Sequence, residues 1–330
     1  MKTQIVYALT ASPNDLFLQE TWASVYSLRL YEHDRDVKVL CDKPTADYIR
    51  MFPELVALLT EIVVVDVPEG YGQDYCSRVI KTSIRQHIRG RFLYVDTDTI
   101  FAGSLDYIDE LTCDVAAVPE FNVPAADYYF RDAYIGKVRR FFDIDISDAP
   151  RLHNGGVVYA ADTPLAHEFY KRWYDNWHDS AVVRRCGVAD QPPLMKADRD
   201  MGYMVAELPG EYNCQMAMCI EHFFEAKIIH FIHFYLLPAP QNPFIDKSIY
   251  KQIKCDGTVT ETTAKIIQNP KSAFKTPSAI VDGKTIDFLL SSPGHVFLCV
   301  FRHGGWLLSA MHKVSAIFDK ILKHKSINSW

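Results

Sequence analysis

The chain has 330 residues, 48% of them hydrophobic, with a formal net charge of −6. That is enough to bury a full core, in one large or two small domains. The negative balance argues against a general nucleic-acid binder, whose phosphate contacts need a basic footprint, and no run of about 20 apolar residues offers a membrane span.

Ile5–Leu9 has the character of a short buried strand, and the polar stretch Thr10-Ala11-Ser12-Pro13-Asn14-Asp15 breaks it. Apolar residues at helical spacing (Leu18, Trp22, Val25, Tyr26, Leu30) predict a helix over Phe17–Leu30. Val37–Leu40 is a second strand, Pro44–Leu59 largely helical, Ile62–Val67 a third strand and Ser77–Arg89 a helix. Phe92–Val95 is a fourth strand, and further strands are expected at Val115–Val118, Gly156–Ala160 and Lys227–Phe231. A helix from Thr163 to Trp177 has Pro164 in its first turn. Strands alternating with helices predict an α/β domain with a mostly parallel sheet covered on both faces.

After Pro238 the pattern changes. Pro238, Pro240 and Pro243 interrupt it, and strand-like runs at Ala279–Val281 and Thr285–Leu290 flank an Asp282-Gly283 hairpin signal. From Trp306 onward, Leu307, Met311, Val314, Phe318, Ile321 and Leu322 form one apolar helical stripe among Lys313, Lys320, Lys323 and Lys325. Such a helix either packs on its own domain or lies on an anionic membrane surface.

Several signatures are missing. There is no G-x-G-x-x-G after the first strand and no G-x-x-x-x-G-K-[ST], which sets aside dinucleotide enzymes and P-loop ATPases. The eight cysteines show no C-x-x-C pair and suggest scattered thiols in a reducing compartment. Cys214 and Cys219 near His222 lack a second ligand pair at zinc spacing. No signal-peptide pattern precedes the first strand, so a cytosolic location is expected.

The richest segment is Arg91-Phe92-Leu93-Tyr94-Val95-Asp96-Thr97-Asp98-Thr99-Ile100-Phe101. In an extended chain residues i and i+2 face the same way, so Asp96 and Asp98 can converge on one ion beyond the end of a buried strand. Hard divalent cations pair such carboxylates with substrate phosphates. Three readings stand: a polar turn after a strand, the aspartyl nucleophile of a haloacid-dehalogenase-like phosphatase, and the D-x-D of a nucleotide-sugar transferase. Ile100 stands where the phosphatase pattern has Thr or Val.

Five other stretches accompany it: Ser77-Arg78-Val79-Ile80-Lys81, His153-Asn154-Gly155-Gly156-Val157-Val158-Tyr159, Asp190-Gln191, Leu208-Pro209-Gly210-Glu211-Tyr212-Asn213 and Lys227-Ile228-Ile229-His230-Phe231. In this order and spacing they resemble glycosyltransferase family 8, the group of glycogenin and bacterial lipopolysaccharide galactosyl- and glucosyltransferases. The resemblance covers roughly residues 4 to 233. It implies a GT-A nucleotide-sugar transferase fold, a Rossmann-like mixed sheet with helices on both faces, over residues 1–240. A smaller C-terminal α+β extension, 241–330, would end in the basic amphipathic helix.

The resemblance also implies roles. Asp96, Asp98 and His230 would hold Mn²⁺ or Mg²⁺ against the donor's diphosphate, with Thr97 beside the donor. Arg78, and with it Lys81 on the same helix face, would bind donor sugar or phosphate. Ala8, Thr10 and Ser12 occupy the loop that receives the nucleoside, which favours a UDP-sugar. Asn154 and Gly155 would approach the donor sugar, the small residue admitting the backbone and the amide bonding hydroxyls. Asp190 and Gln191 would lie below the anomeric carbon. Asp190 is the candidate nucleophile of a double displacement, and also a candidate N-cap before Pro192. Otherwise the acceptor attacks on the leaving-group face, with the Gln191 carbonyl in support.

The sequence departs from the family pattern H-F-x-G-x-x-K-P-W after His230. His233 replaces the glycine and is a candidate phosphate contact, and no lysine follows at the expected place. The expectation is a metal-dependent, retaining hexosyltransferase acting on a glycan or glycolipid in surface polysaccharide or lipopolysaccharide synthesis, peripheral on the inner face of the membrane. The rival readings are the phosphatase and a non-catalytic member that binds nucleotide-sugar or glycan.

Overall fold

Buried β-branched and aromatic runs form the strands of a seven-stranded sheet in the order β3-β2-β1-β4-β7-β6-β8. The computed structural model describes residues 2–68, 70–216, 222–232, 242–273, 287–288 and 291–326. The sheet comprises β1 (Gln4–Leu9), β2 (Val37–Cys41), β3 (Glu61–Val64), β4 (Phe92–Val95), β6 (Val115–Pro119), β7 (His153–Ala160) and β8 (Ala206–Glu207). All neighbours are parallel except at β7, which runs antiparallel to both β4 and β6. A second sheet, in the order β5-β10-β9, joins β5 (Thr99–Phe101), β10 (Ile228–His230) and β9 (Cys214–Gln215).

Strand parity sorts the core into two layers. Ile5, Tyr7, Leu9, Leu93 and Val95 face α1 (Phe17–Arg29), whose Leu18, Trp22, Val25 and Leu28 are buried against them. Val6, Ala8, Phe92 and Tyr94 face the other way, onto Ile80 and Ile84 of α4 (Gln73–His87). On that side they also meet Phe169, Tyr170 and Trp173 of α7 (Pro164–His178) and Leu194 and Ala197 of α8 (Gln191–Asp200). Both faces of β1 and β4 are therefore dry, as the continuous apolar runs imply. Thr163 caps α7 by accepting from Ala166 N at 3.2 Å.

The helix expected over Pro44–Leu59 is two, α2 (Lys43–Arg50) and α3 (Pro53–Leu58). Phe52, forced out of the helical region by the following Pro53, adopts φ −118° and ψ 86°. α5 (Asp106–Glu110) and α6 (Arg131–Phe142) flank β6 in sequence.

The described residues divide into two compact units, those of 2–232 and 242–273 in one and those of 287–288 and 291–326 in the other. α9 (Ser248–Asp256) and α10 (Glu261–Gln268) belong to the first unit because Ile249, Tyr250, Ile253 and Ile267 join the core cluster of α1. In the second unit the described residues are helical: α11 (Ser292–His303), capped by Ser291, and α12 (Gly305–Ser326). The strand runs at 279–281 and 285–290, the Asp282-Gly283 turn, Cys219 and His233 lie outside the described residues, except Asp287 and Phe288, which are helical rather than extended. No helix among the described residues is long and apolar enough to cross a membrane.

Candidate active site

The carboxyl ends of the parallel strands carry the site, where open α/β sheets bind ligands. β4 gives the first anchor. Its parity sends Tyr94, and after it Asp96, to the α4 face. Asp96 N bonds Gly156 O of β7 at 2.7 Å, and Thr99 Oγ1 donates to Asp96 O at 2.8 Å. The segment is not a continuing strand: Thr97 and Asp98 form a turn into β5. That turn, rather than extended alternation, brings the two carboxylates together. β5 then pairs antiparallel with β10, with His230 opposite Thr99, and Phe231 N bonds Asp98 O at 2.9 Å.

The result is a cluster of Asp96, Asp98 and His230 whose ligand atoms all lie within 4.8 Å of one another. His230 Nε2 is 3.1 Å from Asp98 Oδ1 and 3.9 Å from Asp96 Oδ2. The other ring nitrogen, Nδ1, meets Asn213 Oδ1 at 2.9 Å. Asn213 Nδ2 donates to Asn154 Oδ1 at 3.0 Å, and Gly156 N donates to the same oxygen at 2.8 Å. With Asn213 accepting from Nδ1–H, the lone pair of neutral His230 falls on Nε2, toward the carboxylates. An outer partner fixing the tautomer in this way is the usual dress of a metal-ligating histidine. Burial by itself would lower the His230 pKa, but Asp98 and then Asp96 more than offset it and the value is raised. Burial likewise raises Asp98, while His230 brings it below the ordinary carboxylate range. The site accumulates negative charge that the imidazolium partly neutralises, as a divalent cation would. Two carboxylates and one imidazole suit Mn²⁺ or Mg²⁺ with open positions left for a second ligand.

Lys81 ties this cluster to Asp190. Its Nζ lies 3.2 Å from Asp96 Oδ1 and 2.8 Å from Asp190 Oδ2, and 4.9 Å from the centre of the Tyr94 ring. Arg78, one turn earlier on α4, places Nε 3.1 Å from Asp190 Oδ1. The shared helix face expected of these two residues is thus real, and Lys81 is buried rather than solvated. Burial opposes ionisation of Asp190, but Lys81 and Arg78 hold its carboxyl well below the usual range. Asp190 stands at the N-cap position of α8, yet its side chain makes no capping bond because both oxygens face α4. The Tyr94 hydroxyl donates to Asp96 Oδ1.

Asn154, Gly155 and Gly156 open β7 at the same edge. A Cβ on Gly155 would come 3.4 Å from Asp190 Oδ2 and 3.7 Å from Lys81 Nζ. Gln191 Nε2 and Asn154 Nδ2 each donate to Glu120 Oε2 at 3.0 Å. Ala8 lies next to the last residue of β1; extending the pairing Val6↔Tyr94 by two residues sets it level with Asp96. In the following loop Thr10 Oγ1 donates to Gln73 O at 3.2 Å, and Ser12 Oγ donates to Asp15 Oδ2 at 2.8 Å. Thr97 Oγ1 reaches Glu20 Oε2 at 3.4 Å. Apart from His233, the structure accordingly describes every residue given a role in the transferase site above, with Arg78, Lys81, Asp96, Asp98, Asn154, Gly155, Asp190, Gln191 and His230 in one contiguous set.

Glu120, Tyr94 and the Glu20–Lys247 ion pair at 2.9 Å were not singled out. Glu120 carried a usable signal. It is the first acidic residue after β6, as Asp96 is after β4. Tyr94 carried none, since its hydroxyl reaches Asp96 only through strand parity.

No protein-family model and no curated protein matches the sequence. Solved structures do match. Galactosyltransferase LgtC in complex with donor and acceptor sugar analogs superposes with a TM-score of 0.50 at 14% identity, over 79% of this chain and 98% of that one. An active-site mutant of LgtC gives 0.51 at the same identity and coverage. Mouse xyloside xylosyltransferase 1, in its apo form, gives 0.46 at 13% identity over 69% and 96%. The fold is GT-A. At these identities the likeness is one of fold, and that fold is the one expected from the sequence. The haloacid-dehalogenase-like reading of Asp96 belongs to another fold and is set aside.

Proposed function

We propose that the protein is a metal-dependent glycosyltransferase that moves a hexose from a nucleoside diphosphate sugar, UDP favoured, to a glycan or glycolipid hydroxyl with retention of configuration. The observation that carries this reading is the convergence of Asp96, Asp98 and His230 at the carboxyl edge of a GT-A sheet, joined through Lys81 to Asp190 beside Gln191. Asp96, Asp98 and His230 would hold Mn²⁺ or Mg²⁺, which when bound supplies charge stabilisation to the departing diphosphate. Arg78, half-buried, offers its guanidinium to the donor's phosphate or sugar. Ala8, Thr10 and Ser12 border the nucleoside, and Asn154 and Gly155 border the sugar.

Of the two routes to retention, the geometry favours attack on the leaving-group face. Both Asp190 oxygens are engaged by cations, and a carboxylate so held is a weak nucleophile. Asp190 then serves to fix Lys81 and Arg78 beneath the sugar. Gln191 is the group adjacent to the reacting carbon, its carbonyl supporting positive charge there.

The test is release of UDP from UDP-glucose, UDP-galactose and their N-acetylated counterparts, with and without Mn²⁺. Mn²⁺-dependent turnover of one donor supports the reading. Mn²⁺-dependent binding without any turnover would replace it by the non-catalytic one.

We further propose that the acceptor is presented at an anionic membrane surface, as in surface polysaccharide or lipopolysaccharide synthesis. The support is α12, where Trp306 is 81% and Val314 51% exposed in a lysine-bearing helix. Flotation with phosphatidylserine vesicles should be lost in a chain ending near Gly294. Equal flotation of both chains would sink this part.

A further inference from the structure

Glu120 is a carboxylate that the reaction outlined above leaves unused. It follows β6 at the site's edge and is 8% exposed. Its hydrogen-bond partners are two neutral amides, Asn154 Nδ2 and Gln191 Nε2, both on Oε2 at 3.0 Å. Among the described residues no cation forms an ion pair with it. Burying a charge without a counter-ion is costly, and burial lifts its pKa to about 7, the two amides only moderating that rise. A glutamine would fill the same space without the cost, although its amide could turn either end to its two neighbours. A purely structural role therefore accounts poorly for a carboxylate here. Residues that weaken a fold in this way are found where function needs them.

What the carboxylate does that a glutamine would not follows from its chemistry. An ionised carboxylate only accepts, so each amide that meets it must present its NH₂. Asn154 does not need this instruction. Gly156 N–H at 2.8 Å and Asn213 Nδ2 at 3.0 Å already fix its Oδ1 from the other side. Gln191 has no second anchor among the described residues; its amide bonds Glu120 alone.

We infer that Glu120 is a positioning residue for Gln191: it turns the amide so that the carbonyl oxygen is its free end, and its negative charge polarises that carbonyl toward the donor's anomeric carbon. This deepens the transferase reading and rests on it. Asn154 and Gln191, from β7 and α8, are tied to the same oxygen of Glu120. The sugar-facing amide and the amide beside the reacting carbon thereby share one anchor. The Asn154 branch continues through Asn213 to His230, so a single polar chain runs from the metal cluster to Gln191.

The experiment compares full-length wild type with Glu120→Gln in two arms. The first reads the Gln191 side-chain amide by ¹H–¹⁵N NMR, assigned by its loss in Gln191→Glu. In wild type one Gln191 amide proton, bonded to a carboxylate, is expected downfield and protected from exchange, and in Glu120→Gln the pair moves toward the positions of exposed glutamines. The second arm measures Mn²⁺-dependent UDP release from whichever UDP-hexose the wild type turns over. The kcat of Glu120→Gln is expected to fall by about 10²-fold, the scale of a misoriented catalytic group, with the donor KM within about twofold of wild type. An unchanged Gln191 amide overturns the inference. So does an unchanged kcat, or a raised KM at unchanged kcat, which would make Glu120 a donor-binding group. If wild type turns over no UDP-hexose, the transferase reading fails, and the NMR arm still decides whether Glu120 orients Gln191.

Discussion

At Gly156 an added Cβ would lie 2.3 Å from Cε1 of His230 and 2.9 Å from Asn154 Oδ1. Only a bare backbone there lets the imidazole pass beside β7 and reach Asp98. The paired glycines were legible as a place of close approach, but what approaches was not, because His230 comes from a strand about 75 residues later. Asp96 and Asp98 were legible as carboxylates able to converge on one ion, beside the reading of a plain polar turn, and His230 joined them only through the resemblance to glycosyltransferase family 8. Glu120 was missed because its neighbours Asn154 and Gln191 meet it only in three dimensions. Its raised pKa has a consequence for stability. The unfolded value is near 4.5 and the folded value about 7. The stability Glu120 allows is thus fully present below the lower value and is lost as pH rises through the upper. Urea denaturation at pH 8 should find Glu120→Gln more stable than wild type by about 1–3 kcal/mol, with the gain gone near pH 4. A difference between the two proteins that does not change with pH would contradict the assignment of that buried charge.

Elements set the site because their ends coincide. β1, β4 and β6 run parallel and stop at one edge, so Ala8, Asp96 and Glu120 arrive there together; β7 runs the other way and starts there with Asn154 and Gly155. Apolar runs made these strands recognisable one by one, since each is buried on both faces. Strand order and the reversal at β7 were not readable from the same runs, because pairing is decided by the connections and by packing on α4, α7 and α8. The region after 240 is a related case. Its prolines and turn residues break the strand–helix alternation and suggested a separate extension, while α9 and α10 bring Ile249, Tyr250, Ile253 and Ile267 into the core beside α1. Lys254 Nζ also donates to Pro13 O at 2.6 Å and Asp15 O at 2.8 Å, closing down the loop that follows β1. At about 1.5–3 kcal/mol for each fully buried side chain, losing those four removes an amount comparable to the whole stability of a typical domain. A chain ending at residue 240 should therefore lack a cooperative urea transition, whereas one ending at 277 should keep it. Equal transitions in both would show that α9 and α10 are dispensable.

Across the whole molecule the net charge is −6, and four of the acidic side chains gather at the candidate site. Asp96, Asp98, Glu120 and Asp190 meet at one edge of the sheet, and the cations beside them, Lys81 and Arg78, both come from α4. Lys81 links Asp96 to Asp190, so the cluster of Asp96, Asp98 and His230 and the Asp190–Gln191 side of the site are held by one buried ammonium. The proposed role of Asp96, Asp98 and His230 is to bind a divalent ion that in turn holds a nucleoside diphosphate. Isothermal titration of UDP into the protein, with and without Mn²⁺, tests it most directly. Binding should require Mn²⁺ in wild type and be lost in Asp98→Asn and His230→Ala, while both variants keep the wild-type urea transition within about 2 kcal/mol. UDP binding of equal strength without Mn²⁺, or undiminished in those two variants, would contradict it.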